Sequence, residues 1–242
     1  MKGEFNVQCS HATHVGFVRK SNQDTLIIAE GIYGVADGMG GHKGGEIASG
    51  MAAKIIINAL SSKSLDEKII SEAVSAANTR IFETGKDDST LRGMGTTVCF
   101  LCNSLKKIYI GHVGDSRAYL LRNNELKQIT QDHSLVAEMV RKEIITPKMA
   151  LTHPYRNVIT RAVGIEAYVK TDVLNIDKQK GDKLLVCTDG LFNMVDDEQI
   201  KQIILNHSLD EAKTKLLNAA LDAGATDNVS FVLIEVSEER SA

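Results

Sequence analysis

Apolar and polar positions alternate over short stretches near residues 6–10, 24–29 and 32–36, and this spacing predicts strands there. The same period of two, or a short apolar run, recurs at about 96–102, 107–113, 117–122, 169–174, 182–188 and 229–236. The period lengthens to threes and fours in "EIASGMAAKIIINAL", predicting a helix over about 45–60. A second helix is predicted at 66–84, where Ile69, Ile70, Ala73, Val74 and Ala77 share a face, and others at 134–141, 196–205 and 209–222. "NNE" at 123–125, between "AYLLR" and "LKQIT", is a hairpin signal. Strands come in consecutive runs with helices grouped between them, so the pattern predicts an α+β fold with helices packed on antiparallel sheets.

Residues 142–160, "KEIITPKMALTHPYRNVIT", have no clean period and hold both prolines of the chain. A stretch of this length without periodicity reads as a flap over a site or as a surface loop. Neither a linker-like composition nor a solenoid repeat interrupts the 242 residues, so one domain spanning 1–242 is expected.

Composition narrows the class. With 43% hydrophobic and 24% charged residues, the chain has material for a sizeable core. A net charge of -3 supplies no basic field for nucleic acid or an anionic membrane. No apolar run approaches the roughly 18 residues of a membrane span, and "MKGEFNVQCSHATH" lacks the apolar segment of a signal peptide. A cytoplasmic location is expected. Cys9, Cys99, Cys102 and Cys187 read as core thiols. The Cys99–Cys102 spacing along a strand puts those two on opposite faces, which suits neither zinc nor a redox motif.

One chemical feature repeats. "GIYGVADG" ends a strand with Asp37-Gly38, "KKIYIGHVGDS" with Asp115-Ser116 and "DKLLVCTDG" with Asp189-Gly190. Asp227-Asn228 opens the last strand in "GATDNVSFVLIEV", and Asp24 of "KSNQD" opens another. Each alone reads as a turn residue. Five at strand ends are another matter, because antiparallel sheets can gather those ends at one edge. Carboxylates gathered there repel one another unless cations intervene, and oxygen-only donors suit Mg²⁺ or Mn²⁺.

Other chemistries fit less well. In "VADGMGGHKGGE" (35–46) the third glycine of a dinucleotide fingerprint counted from Gly38 is replaced by Lys43, and no Gly-Lys-Ser/Thr triplet makes a P-loop. "GDSRA" (114–118) is near a nucleophile elbow, but "AYLL" continues as a strand where a helix is required. Ser134 in "QDHS" reads as a helix N-cap.

Together these segments resemble the PP2C-type (PPM) family of metal-dependent Ser/Thr protein phosphatases in its compact bacterial form. The resemblance is carried in family order by "VRKSNQD" (18–24), "VADGMGGHKGGE" (35–46), "GMGTT" (93–97), "HVGDSRAYL" (112–120) and "ITQDHSLV" (129–136). It continues through "HPYRNVITRAVG" (153–164), "LLVCTDGLFNMV" (184–195) and "ATDNVSFVLIEV" (225–236). The resemblance implies a four-layer α-β-β-α sandwich and a water bridging two Mn²⁺ or Mg²⁺ ions that attacks phosphorus in line. It implies that Asp37 bridges the ions, that the Gly38 carbonyl is a backbone ligand, and that Asp189 and Asp227 complete the first ion's shell. Asp24 would act mainly through metal-bound water, and a third ion would take Asp115 and Asp189. Arg19 corresponds to the family's phosphate-binding arginine and His42 to its proposed general acid; His11, His14, His112, His133, His153 and His207 read as structural. Phosphorylated proteins and an opposing Ser/Thr kinase are the implied partners of an expected monomer.

The flap departs from the family, with Glu143 where members commonly carry Gly and "PKMA" where they carry acidic residues. A metal-binding pseudophosphatase and a hydrolase of small phosphate esters are the competing readings. The first should have lost an aspartate ligand, whereas all five are present.

Overall fold

The period-two segments pair into two antiparallel sheets. The computed structural model describes residues 5–40, 44–61 and 64–238. One sheet runs in the order β1 (Phe5–His14), β11 (Val229–Glu238), β10 (Lys183–Cys187), β7 (Arg117–Arg122), β8 (Glu125–Gln128). The other runs β2 (Asp24–Ala29), β3 (Ile32–Met39), β5 (Val98–Asn103), β6 (Lys107–Val113), β9 (Asp172–Asp177), with the two-residue β4 (Gly95–Thr96) also on β3.

Three apolar clusters hold four layers together, as the α+β sandwich expectation requires. Val35, Cys99, Ile110, Val186 and Val232 fill the space between the sheets. Helices α1 (Gly44–Leu60) and α2 (Glu67–Asp87) cover the second sheet, burying Ile56, Ile70 and Ile81 against Phe100. Helices α5 (Asp189–Phe192), α6 (Asp197–Asn206) and α7 (Leu209–Asp222) cover the first, with Leu191, Ile200 and Leu216 against Phe231. Cys99 belongs to the inter-sheet cluster and Cys102 to the helix-facing one, the opposite faces that their spacing predicts. Cys9 is only half-buried, because β1 is an edge strand.

Local chemistry sets the boundaries. Asp66 caps α2 by accepting from Ile69 N, and Ser134 caps α3 (Leu135–Arg141) by accepting from Ala137 N, as expected of it. Asn123 and Asn124 adopt φ of 53° and 62°, the left-handed pair of a two-residue hairpin, and Arg122 faces Glu125 across it.

Some expectations need correcting. The strand expected at 169–174 forms over Asp172–Asp177 instead. Val169 lies before it as a buried plug in the helix-facing core, so its apolar character serves packing and not the ladder. The run at 96–102 is two strands, because Thr97 turns aside and donates from its N–H to Asp37 O at 2.8 Å. Helices α4 (Pro147–Leu151) and α5 were not expected, being too short for any period to appear. Residues 141–160 contain no buried residue, and Glu143 has φ 57°. The flap therefore takes at that position the left-handed conformation a glycine would adopt freely.

Candidate metal centre

The sheet edges meet where the aspartates are. Asp24 and Asp37 are Cα partners across β2 and β3. Asp115 lies in the β6–β7 turn, Asp189 begins α5 directly after β10, and Asp227 precedes β11. Asp37, Gly38, Asp115, Asp189, Asp227 and Arg19 line one cavity of about 510 Å³, with Asn157 and Ile159 reaching in from the flap. Asp24 is buried and is not among the lining residues. Both sheets thus contribute carboxylates to a single opening.

Neutral hydrogen bonds position Asp37 and Asp24 and join the turns around the other aspartates. Asp37 donates from its N–H to Thr97 Oγ1 (3.1 Å), and its carbonyl accepts from Thr97 N (2.8 Å) and Thr96 Oγ1 (2.9 Å). The Thr97 hydroxyl also meets Ser116 Oγ at 2.7 Å, which joins the Asp37 strand to the Asp115 turn. Thr188 donates its hydroxyl to Asp24 Oδ2 (2.9 Å) and accepts from Ser230 N (3.1 Å). Asn228 accepts from Gln23 N at 2.8 Å and donates to Val15 O (2.8 Å) and Ser21 O (3.0 Å), stitching the loop that carries Arg19 to β11. Sequence reasoning passed over Thr97, Thr188 and Asn228. Their signal was adjacency to the aspartate motifs, where a small polar residue reads as ordinary turn chemistry.

Two glycines at the site allow close backbone approach. A Cβ on Gly38 would run into the Gly45 carbonyl in the first turn of α1, and one on Gly190 into the Asn228 carbonyl. These glycines let backbones approach behind the cavity. His42 lies outside the described residues.

Burial dominates the electrostatics. It raises the carboxyls of Asp24 and Asp115 to about 7 and that of Asp189 to about 6, and pushes Asp37 well above its ordinary range. Neighbouring carboxylates push the same way, Asp227 on Asp189 and Asp24 on Asp37. Arg19 answers part of this charge by donating to Asp227 Oδ2 at 2.7 Å, although its side chain is 55% exposed. Arg117 answers less, because its guanidinium is engaged by Asp132. Asp24 Oδ1 is buried with no hydrogen-bond partner among the described residues. A cavity walled by half-buried carboxylate oxygens and short of positive charge fits hard divalent cations. Among the described residues the donors that converge most tightly are instead His112, His133 and Asp172, within 4.8 Å of one another. The aspartates stand around a cavity and not at a point. That arrangement suits more than one ion.

No helix among the described residues is long and apolar enough to cross a membrane.

Comparison with known proteins identifies the family. Residues 14–227 match the protein phosphatase 2C family model. The serine/threonine phosphatase stp of Listeria welshimeri is 36% identical over 227 residues, covering 90% of this chain and 87% of that protein. The crystal structure of the Mycobacterium tuberculosis serine/threonine phosphatase PstP superimposes with a TM-score of 0.91 at 32% identity, over 96% of this chain and 99% of that one. A second PstP structure, of the catalytic domain in complex with two manganese ions, gives 0.89 at 31% identity over the same shares. The chain belongs to the protein phosphatase 2C family and is a serine/threonine phosphatase.

Proposed function

We propose that the aspartate-lined cavity is a centre for two Mn²⁺ or Mg²⁺ ions, with a third beside Asp115 and Asp189, at which phosphoserine and phosphothreonine in proteins are hydrolysed. The observation that carries this reading is the convergence of half-buried carboxylates from both sheets on one opening that also contains an arginine. Bound there, the ions would supply an acidified water for in-line attack on phosphorus and neutralise charge on its oxygens.

The chain's own groups divide the remaining work. Asp37 and the Gly38 carbonyl, with Asp189 and Asp227, would hold the two catalytic ions, and Asp24 would act mainly through metal-bound water. Arg19 presents a planar fork for phosphate oxygens, and its contact with Asp227 keeps the guanidinium at the cavity mouth. His42 is assigned the proton for the departing serine or threonine oxygen on its position in the sequence. This role should matter less for an aryl phosphate, whose leaving group needs no proton.

Polypeptide substrates are favoured over small phosphate esters by the flap. Met149, Leu151, Tyr155 and Val158 are exposed on the segment that reaches the cavity through Asn157 and Ile159. A cytoplasmic monomer opposing a Ser/Thr kinase completes the reading. Phosphopeptide hydrolysis with added Mn²⁺ and with chelator tests it. Activity should appear with the metal and vanish with chelator, and chelator-resistant turnover would contradict it. Faster turnover of nucleotides or sugar phosphates than of phosphopeptides would favour the small-ester reading. For His42, His42→Ala should lose more activity on phosphothreonine than on an aryl phosphate, and equal losses would remove the general-acid role.

A further inference from the structure

A buried histidine joins the Asp115 turn to the end of the flap. The His133 side chain is 5% exposed. Its main-chain N–H donates to Gly114 O at 2.8 Å, and Gly114 N donates in return to the ring Nδ1 at 2.9 Å. Gly114 has φ 113°, and a Cβ there would run into the Thr97 side chain. The turn before Asp115 is therefore held in a conformation that suits glycine, with its N–H satisfied by the histidine ring. On the other side, His133 O accepts from Thr160 N at 2.8 Å, where the flap rejoins the body.

The far edge of the ring is fixed as well. Because Nδ1 accepts, the neutral ring carries its proton on Nε2, which faces Asp172 Oδ2 at 3.1 Å. Arg161 Nη1 lies 2.9 Å from Nε2 and donates to Asp172 Oδ1 (2.8 Å) and Lys170 O (3.2 Å). His112, wholly buried, stacks on the ring with centroids 4.6 Å apart. By donor type His112, His133 and Asp172 would suit a transition metal, but the Arg161 guanidinium already brings a positive charge against two of them.

We propose that His133 is a positioning residue for the metal centre, its ring holding the Gly114–Asp115 turn so that the Asp115 carboxylate meets its ion, and its backbone tying that turn to the flap's end. The proposal rests on the reading of Asp115 as a ligand, and groups that orient ligands in this way commonly govern metal affinity.

Calorimetric Mn²⁺ binding, the melting temperature of the metal-free protein and the Mn²⁺ dependence of phosphopeptide turnover test it together. Asp115→Asn should abolish or weaken one class of Mn²⁺ site, and unchanged binding would remove the ligand reading and the proposal with it. Given that loss, His133→Leu should weaken the same site roughly tenfold. In His133→Asn the amide oxygen can take the place of Nδ1 and accept from Gly114, so the loss should stay below about threefold. A role confined to packing would lower the melting temperature in both variants and leave Mn²⁺ affinity unmoved. That result, or equal affinity losses in the two, overturns the proposal. If His133→Leu does not fold, Asp172→Asn decides, because its side chain is 34% exposed. Weaker binding by about threefold supports the strut, and unchanged binding overturns it.

Discussion

The aspartate edge and the flap lie against the same cavity and are built on opposite terms. At the edge, half-buried carboxylates face one cavity, and neutral groups such as Thr97 and Thr188 hold the backbone and side chains of Asp37 and Asp24. In the flap nothing is buried, a five-residue helix is capped by Thr146, and large apolar side chains face outward. The edge tolerates repulsion because the fold holds the backbone around it. The flap instead keeps its apolar side chains at the surface beside the cavity. Chemistry should therefore fail when the edge is altered, and selectivity should change when the flap is altered.

The largest effect should come from the edge. Asp37→Asn or Asp189→Asn should reduce kcat/KM on a phosphopeptide by at least about 10³-fold, the scale of losing several kcal/mol of charge stabilisation. Comparable circular dichroism would exclude unfolding as the cause. Losses below tenfold would mean that the edge is not where the chemistry occurs.

A second test uses the charge itself, without substrate. The folded metal-free protein keeps protons on Asp24 and Asp115 up to about pH 7 and on Asp189 to about pH 6, whereas unfolded aspartates release theirs near the ordinary value of 3.8. The folded state binds more protons between those limits, so this stabilising contribution is full below pH 4 and is lost as pH rises through about 7. Thermal melts with chelator should therefore give midpoints that fall between pH 5 and 7.5, and Mn²⁺ should restore more at the upper end. A flat apo profile would contradict the buried-charge account.

The flap's share should be smaller. Replacing Met149 and Leu151 together by serine should lower kcat/KM on a phosphoprotein roughly tenfold, the scale of lost apolar contacts, while turnover of an aryl phosphate stays unchanged. Equal losses on both substrates would place the flap in the chemistry and erase the contrast. The smallest effect should be at Glu143, whose φ of 57° costs a side chain about 1 kcal/mol relative to glycine. Glu143→Gly should raise the melting temperature by about 1–3 °C.

The sequence made the edge legible and the flap nearly opaque. Asp24, Asp37, Asp115, Asp189 and Asp227 each stood at the end of an apolar run, so period two located them before any pairing was known. The cross-sheet hydrogen bonds could not be read, because Thr97 meets Ser116 and Thr188 meets Asp24 only after two sheets stack. Gly38 and Gly190 were legible as turn residues, but their close approach to Gly45 and Asn228 is a fact of packing. Glu143 stands where family members commonly carry Gly. Its backbone nonetheless takes the left-handed conformation, because local turn geometry overrode the preference of its side chain. His133 read as one more structural histidine, since nothing in "QDHS" reveals that its ring reaches back to Gly114.

The central claim is that the aspartate edge is where the divalent ions bind. Anomalous diffraction at the manganese edge, from crystals grown with Mn²⁺, tests it most directly. Two or more peaks are predicted within coordination distance of Asp37, Asp189 and Asp227, with a further one at Asp115. Absence of peaks there, or a peak among His112, His133 and Asp172 in their place, would contradict the account.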